Sequence, residues 1–226
     1  MMIHTILDTD LYKFTTSYAY IKLFPYAMGT FSFKDRDETV YTEAFLNKLK
    51  AEVANLANVA LTDKELEYMT RNCRFLPRVY WEWLSSFRFQ PEKIDIYLDE
   101  EHHLNIEITD YLYKSTLYEV PLLAIVSEIK NQTQGNVANP EEIICKLSEK
   151  VVLSNEHQLS FSEFGTRRRF SFDVQDRVIS YLKKSAHYCT GTSNCYFAMK
   201  YEMKMMGTHP HEWFMFHGAQ FGYKHA

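Results

Sequence analysis

Apolar and polar positions change rhythm partway along the chain. Helical spacing over 11–23 follows Asp8, Thr9 and Asp10, which offer N-caps. Alternation of Phe31 and Phe33 then predicts a strand over 29–34, and a second helix is predicted over 41–57. Thr62 with Glu65 three residues on reads as a capping box, opening a short third helix that carries Leu66 and Met69. Two alternating runs, 88–98 and 104–111, flank Asp99-Glu100-Glu101-His102-His103 and predict an antiparallel hairpin. Up to about residue 113 the pattern is therefore α+β.

Beyond it, 117–130 is a mostly apolar helix with Pro121 in its first turn, 131–140 a polar loop containing Gly135, and 140–151 another helix. Three strands are then predicted, over 158–164, 187–192 and 203–208, each leading through a Gly-Thr corner into a helix. After the first corner Ser171 caps the helix, Asp173 suits its positive end, and Val174, Val178, Ile179 and Leu182 form a stripe that should lie on the sheet. Serial β/α units predict a parallel sheet, doubly wound or rolled into a barrel. A closed barrel takes about eight units and roughly 250 residues. Three units precede the last residue, and 218–226 carries no predicted packed element. The expected class is α/β: an α+β amino-terminal domain over 1–113, then the first part of an incomplete parallel β/α barrel over 114–226.

Composition narrows the partners. With 46% apolar residues a sizeable core is expected, and 16 Tyr with 16 Phe make it ring-rich. A formal charge of -4 argues against nucleic acid as the main partner, while local arginines keep acidic small ligands open. The first residues lack a basic segment followed by an apolar run, and the longest apolar stretch, 120–126, is far below the roughly 20 residues a bilayer needs. No secretory signal and no membrane span are expected. Cys73, Cys145, Cys189 and Cys195 form no Cys-x-x-Cys pair, which fits reduced thiols in the cytoplasm.

Candidate chemistry gathers at the corners, because parallel β/α folds bind ligands at the carboxyl ends of their strands. The first is Glu163-Phe164-Gly165-Thr166-Arg167-Arg168-Arg169, the second Thr190-Gly191-Thr192-Ser193-Asn194, the third Gly207-Thr208-His209-Pro210-His211-Glu212-Trp213. Forked guanidinium groups beside a helix start suit carboxylate or phosphate oxygens, although a run of charges is often simply solvated. Along an extended backbone Arg167 and Arg169 would point one way and Arg168 the other. Phe164 is a core ring or a stacking platform. Gly165, Gly191 and Gly207 allow positive φ and close backbone approach. His211 is a candidate for nucleophilic or acid-base work with Glu212 as orienting partner, or a structural histidine. His-Glu-x-x-x-x-His does not match the zinc-binding His-Glu-x-x-His, and the six-residue gap turns His217 away from His211 on a helix. No metal site is assigned. Asp8, Asp10, Tyr12 and Lys13 at a helix start read as capping or as part of a site.

Taken together, Asp8-Thr9-Asp10-Leu11-Tyr12-Lys13, the run 117–128, Glu163 to Arg168, Gly191-Thr192-Ser193-Asn194 and Gly207-Thr208 through Trp213 resemble the nicotinate phosphoribosyltransferases. The resemblance implies condensation of nicotinate with phosphoribosyl pyrophosphate, coupled to ATP hydrolysis, with Mg²⁺ bound mainly through substrate phosphates. It implies that His211 is the histidine that ATP phosphorylates and Phe164 the ring on which the pyridine stacks. Gly165, Thr166, Thr192 and Asn194 fall in the same substrate-binding corners, and Arg167 matches an anion-binding arginine. Tyr12 resembles the facing wall contributed by a second subunit, which implies a homodimer. Ser193 stands where a nicotinamide-using relative has an aspartate. Serine donates where a carboxylate would repel, so nicotinate is the expected pyridine. The family continues beyond this length, so a non-catalytic amino-terminal fragment is the second expectation, and a nicotinamide- or quinolinate-using sibling the third.

Overall fold

The computed structural model describes residues 1–35, 39–136 and 138–224. Val137, in the predicted loop, and His225 and Ala226, in the predicted open end, lie outside them.

Helix α1 spans Leu11–Leu23, the predicted bounds. Asp10 stands at its N-cap, yet its side chain makes no capping bond, so the carboxylates before this helix serve something other than its amides. Strands β1 (Met28–Ser32), β2 (Ile94–Leu98) and β3 (Leu104–Tyr111) form an antiparallel sheet in the order β1-β3-β2. Ile94 and Ile96 of β2 join Leu104, Ile106 and Ile108 of β3 on the buried face. Residues 88–93, expected in the hairpin, are not strand. Pro91 lacks the N–H a ladder needs and instead opens the 3-10 turn Pro91–Lys93.

Around this sheet pack α2 (Glu43–Asn55), α3 (Asp63–Asn72), α4 (Arg78–Ser86), the short α5 (Leu112–Ser115) and α6 (Glu119–Thr133). The predicted capping box of α3 is formed in both directions between Thr62 and Glu65. α4 was not foreseen: its Tyr80, Trp81 and Leu84 are buried, but rings and a Pro77 start give weak helical propensity. α6 runs three residues into the predicted loop, and α7 (Pro140–Glu156) outlasts its predicted end. The main core joins Phe14, Phe45, Leu49, Trp81, Tyr118 and Ile125 and draws on residues on both sides of position 113. No helix of the described residues is long and apolar enough to cross a membrane.

The parallel part begins at β4 (Phe161–Glu163), turns through Thr166–Arg168 as a 3-10 helix, and continues into α8 (Phe172–Ser185). Ser171 caps α8 as expected, by accepting from the Val174 amide. Its Ile179 and Leu182 are buried, and Leu182 packs with Val151 of α7 and Phe161 of β4. Then come β5 (Cys189–Thr192), parallel to β4, α9 (Cys195–Lys200) and α10 (His211–Phe221). The strand predicted over 203–208 is reduced to one parallel bridge, Thr192 with Met205. Among the described residues the parallel sheet is thus two strands and one bridging residue, in a mixed α/β fold. The end is more ordered than expected, since α10 passes through Gly218 and a Cβ there would meet the Tyr223 ring at 2.4 Å.

Of the corner glycines only Gly191 needs its freedom: Gly165 sits at φ -85, whereas Gly191 has φ 154. A Cβ on Gly191 would lie 2.1 Å from the Lys204 carbonyl oxygen, the acceptor for the Thr192 amide. Gly191→Ala should therefore destabilise the chain by about 2–3 kcal/mol, the scale of a strained backbone with a lost packing partner. A thermal or urea transition unchanged from that of the parent chain would refute this reading.

Candidate active site

The three arginines of the first corner separate, but by a turn and not by strand alternation. Arg169 is buried, donating to Asp8 Oδ1 (2.8 Å) and to the Met2 carbonyl (2.8 Å). Arg168 is exposed and makes no side-chain hydrogen bond or ion pair within the described residues. Arg167 is half-buried and donates to Glu119 Oε1 (3.0 Å), with its Nε 3.9 Å from Asp10 Oδ2. One arginine of the three thus faces the groups around Tyr12.

The hydroxyls and amides of the first two corners are directed at the protein itself. Gly165 N donates to Glu163 Oε1 (2.6 Å), and Thr192 Oγ1 donates to Glu163 Oε2 (2.6 Å). Thr166 Oγ1 accepts from Gln175 (3.1 Å) and from Asn194 Nδ2 (3.1 Å). Asn194 also donates to Asp8 (2.8 Å) and caps α9 by accepting from the Phe197 amide (3.0 Å). Gly165, Thr166, Thr192 and Asn194 therefore lock β4, β5 and the amino-terminal segment together. Ser193, expected as a free donor, is fully buried and donates to Asp10 Oδ1 (2.7 Å). Its hydroxyl is thus committed to Asp10 and does not face a ligand carboxylate.

The amino-terminal segment is the hub. The Lys13 side chain is 0% exposed, and its ammonium donates to Thr116 (3.3 Å), to Glu119 Oε2 and to Glu212 Oε2 (2.6 Å). Thr116 Oγ1 donates to the other oxygen of Glu212 (2.5 Å). A continuous line of alternating charge results: Glu212, Lys13, Glu119, Arg167, Asp10, with Ser193 at its end. Burial pushes the Asp10 carboxyl up to about 6, against the opposing pull of Ser193 and Arg167. Burial also works to raise Glu119, but Lys13 and Arg167 together outweigh it and hold that carboxyl below its ordinary value. The Tyr12 phenol is raised, first by burial and then by the nearby Glu119 charge, and its ring lies 5.0 Å from the Lys13 ammonium.

The Phe164 ring, next to Glu163, is 42% exposed and open to a flat ligand. His211 is the first residue of α10; it is exposed and makes no side-chain hydrogen bond within the described residues. Its neighbour Glu212 is buried and joins the line of charge. His217 is placed elsewhere, packing 4.3 Å from the Trp213 ring with Nδ1 2.8 Å from the Trp213 carbonyl. Among the described residues no three His, Cys, Asp or Glu side chains are grouped to hold a metal ion. A groove of about 440 Å³ lined by Tyr18, Tyr80, Trp83, Tyr111 and Tyr113 carries no charged group, so it does not fit an anionic ligand. The sequence leaves Asp8, Asp10 and Lys13 open between capping and a site and gives no separate role to Glu119 or Glu163. The available signal was Lys13 itself, a charge set between Leu11, Tyr12 and Phe14 on a helix that is mostly buried.

Residues 7–127, more than half of the chain, match the family described as nicotinate phosphoribosyltransferase (NAPRTase) N-terminal domain, and 159–222 match the nicotinate phosphoribosyltransferase (NAPRTase) family. The nicotinate phosphoribosyltransferase of Chromohalobacter salexigens is 38% identical over 100% of this chain and 58% of its own length. That of Methanosarcina acetivorans is 37% identical over 100% of this chain and 59% of its own. The crystal structure of nicotinate phosphoribosyltransferase from Porphyromonas gingivalis superposes with a TM-score of 0.96 at 44% identity, covering 98% of this chain and 57% of that one. The chain thus spans well under two thirds of the length of these relatives. By sequence and by fold, the chain belongs to the nicotinate phosphoribosyltransferase family.

Proposed function

We propose that this chain is the amino-terminal part of a cytoplasmic enzyme joining nicotinate to phosphoribosyl pyrophosphate, with its corners at the mouth of a parallel β/α barrel. The observation that carries the reading is Arg167, a half-exposed guanidinium held between Glu119 and Asp10 in the same corner as the exposed Phe164 ring, three positions earlier in the chain. A planar acid can stack on that ring while its carboxylate takes up the guanidinium, whose planar fork matches two carboxylate oxygens. In the reaction the pyridine nitrogen bonds to ribose C1 as the C1–O bond to pyrophosphate breaks. Positioning by stacking and charge is the main contribution of this half of the site.

The ATP-coupled step falls to His211. An imidazole nitrogen attacks the terminal phosphorus of ATP, releasing ADP, and water later returns the phosphoryl group as phosphate. The exposure of His211 at a helix start supports this role, because the helix dipole favours the arriving anion. Mg²⁺ would reach the site on phosphate oxygens, in keeping with its preference for few protein ligands. A homodimer is part of the same proposal; Tyr12, expected on the facing wall, is buried within its own copy.

The test is a steady-state assay of the chain with phosphoribosyl pyrophosphate, Mg²⁺ and each of nicotinate, nicotinamide and quinolinate, with and without ATP. Nicotinate-dependent release of pyrophosphate supports the reading. Preference for another pyridine replaces the substrate, and no release with any of the three leaves a non-catalytic fragment. In His211→Ala the stimulation by ATP should vanish while some ATP-independent transfer persists. Undiminished stimulation would remove His211 from the mechanism.

A further inference from the structure

Lys13 is a lysine with no access to water and two carboxylates on its ammonium. Isolating such a cation from water is costly unless its donors are paired. Its two partners come from different places. Glu119 opens α6 and also holds Arg167, whereas Glu212 follows His211 in the first turn of α10. Thr116 closes the arrangement by bonding both Lys13 and Glu212. Among the described residues Arg167 makes no hydrogen bond or ion pair with α10, its polar partners being Glu119 and Asp10.

We propose that Lys13 is a positioning residue that couples the first turn of α10, and with it His211, to the anion-binding Arg167, through Glu212 on one side and Glu119 on the other. This rests on the roles given to His211 and Arg167 above. Charge arriving at either end redistributes one ammonium between two carboxylates. An anion on Arg167 frees Glu119 to draw on Lys13, loosening Glu212. A negative group on His211 acts on Glu212 from the opposite side. Coupling of this kind is reciprocal by linkage. It gives a physical route by which phosphorylation of His211 alters the hold on the substrate carboxylate.

The coupling can be read without turnover, so its failure is separable from failure of the proposed reaction. Hydrogen exchange is followed at the amides of residues 215–218 of α10, whose helical bonds return to its first turn, in the 226-residue chain. Arg167→Gln imitates loss of the guanidinium from Glu119 and should speed exchange there about threefold at a distance. In a Lys13→Met background that added effect should disappear, whereas Lys13→Arg should restore it. Equal effects of Arg167→Gln in both backgrounds, or none in the parent chain, overturn the proposal, because a merely structural lysine gives additive changes. If Lys13→Met does not fold, Glu212→Gln serves as the background: the Arg167→Gln effect should shrink if the coupling is real and persist if it is not.

Discussion

Replacing Arg169 by methionine should cost the chain about 3–5 kcal/mol of stability, the range for removing one partner of a buried ion pair. Asp8 is fully buried, and its Oδ1 accepts from Arg169 and Asn194. Without the guanidinium, the carboxylate keeps one neutral donor and no counter-charge. The Met2 carbonyl and Gln175 lose a donor as well, and the Phe172 ring loses a cation 5.2 Å from its centre. Changing Asp8 to Asn in the same chain should recover a large part of the loss, because the orphaned charge is the main term. Urea unfolding monitored by tryptophan fluorescence measures both. A loss below about 1 kcal/mol for Arg169→Met would mean that Asp8 and Arg169 are not the clamp described.

The second large effect runs the other way. Asp10→Asn should stabilise the chain at neutral pH, by up to about 3 kcal/mol, and should do so less and less as pH falls toward 4. The sign follows from the carboxyl lifted from 3.8 to about 6 by burial. Between those values the folded chain keeps a proton that the unfolded chain releases, so rising pH favours unfolding until the folded group has ionised. At about 1.4 kcal/mol per pH unit the penalty is complete above roughly pH 6–7 and absent below the unfolded value. Asparagine never ionises and can still accept from Ser193. Arg167 loses a counter-charge, which trims the gain. Urea midpoints of parent and variant at pH 4.5 and 7.5 test the claim, and a stability difference independent of pH would refute it. A carboxylate whose pKa is raised by burial beside a charged partner is a candidate site group, and this one faces Arg167, the arginine proposed to hold the substrate carboxylate.

Local physics was readable wherever a residue's partner lay within one turn. The bounds of α1, the capping box of α3, the Ser171 cap of α8 and the pairing of β2 with β3 each depend on spacings of two to four residues, or on one tight turn. Phe164 and His211 are exposed and Arg167 half-buried, in the first and third of the corners singled out as places for chemistry. α4 escaped because three of its nine residues are bulky aromatics whose helical state is decided by the core they fill. The strand expected over 203–208 is reduced to one bridge, because a run of extended residues becomes a strand only if a neighbour completes its ladder.

Which carboxylate serves which cation lay beyond any local rule. Asp8 and Asp10 sit at a helix start, where capping is the short-range choice, yet one reaches Arg169 and the other Ser193. Lys13 finds its partners 106 and 199 positions away. Chain order can say that a charge sits on the buried side of a helix and must be neutralised. Only the packed fold, by bringing α1, α6, α10 and two corners against one another where water is excluded, selects the groups that do so.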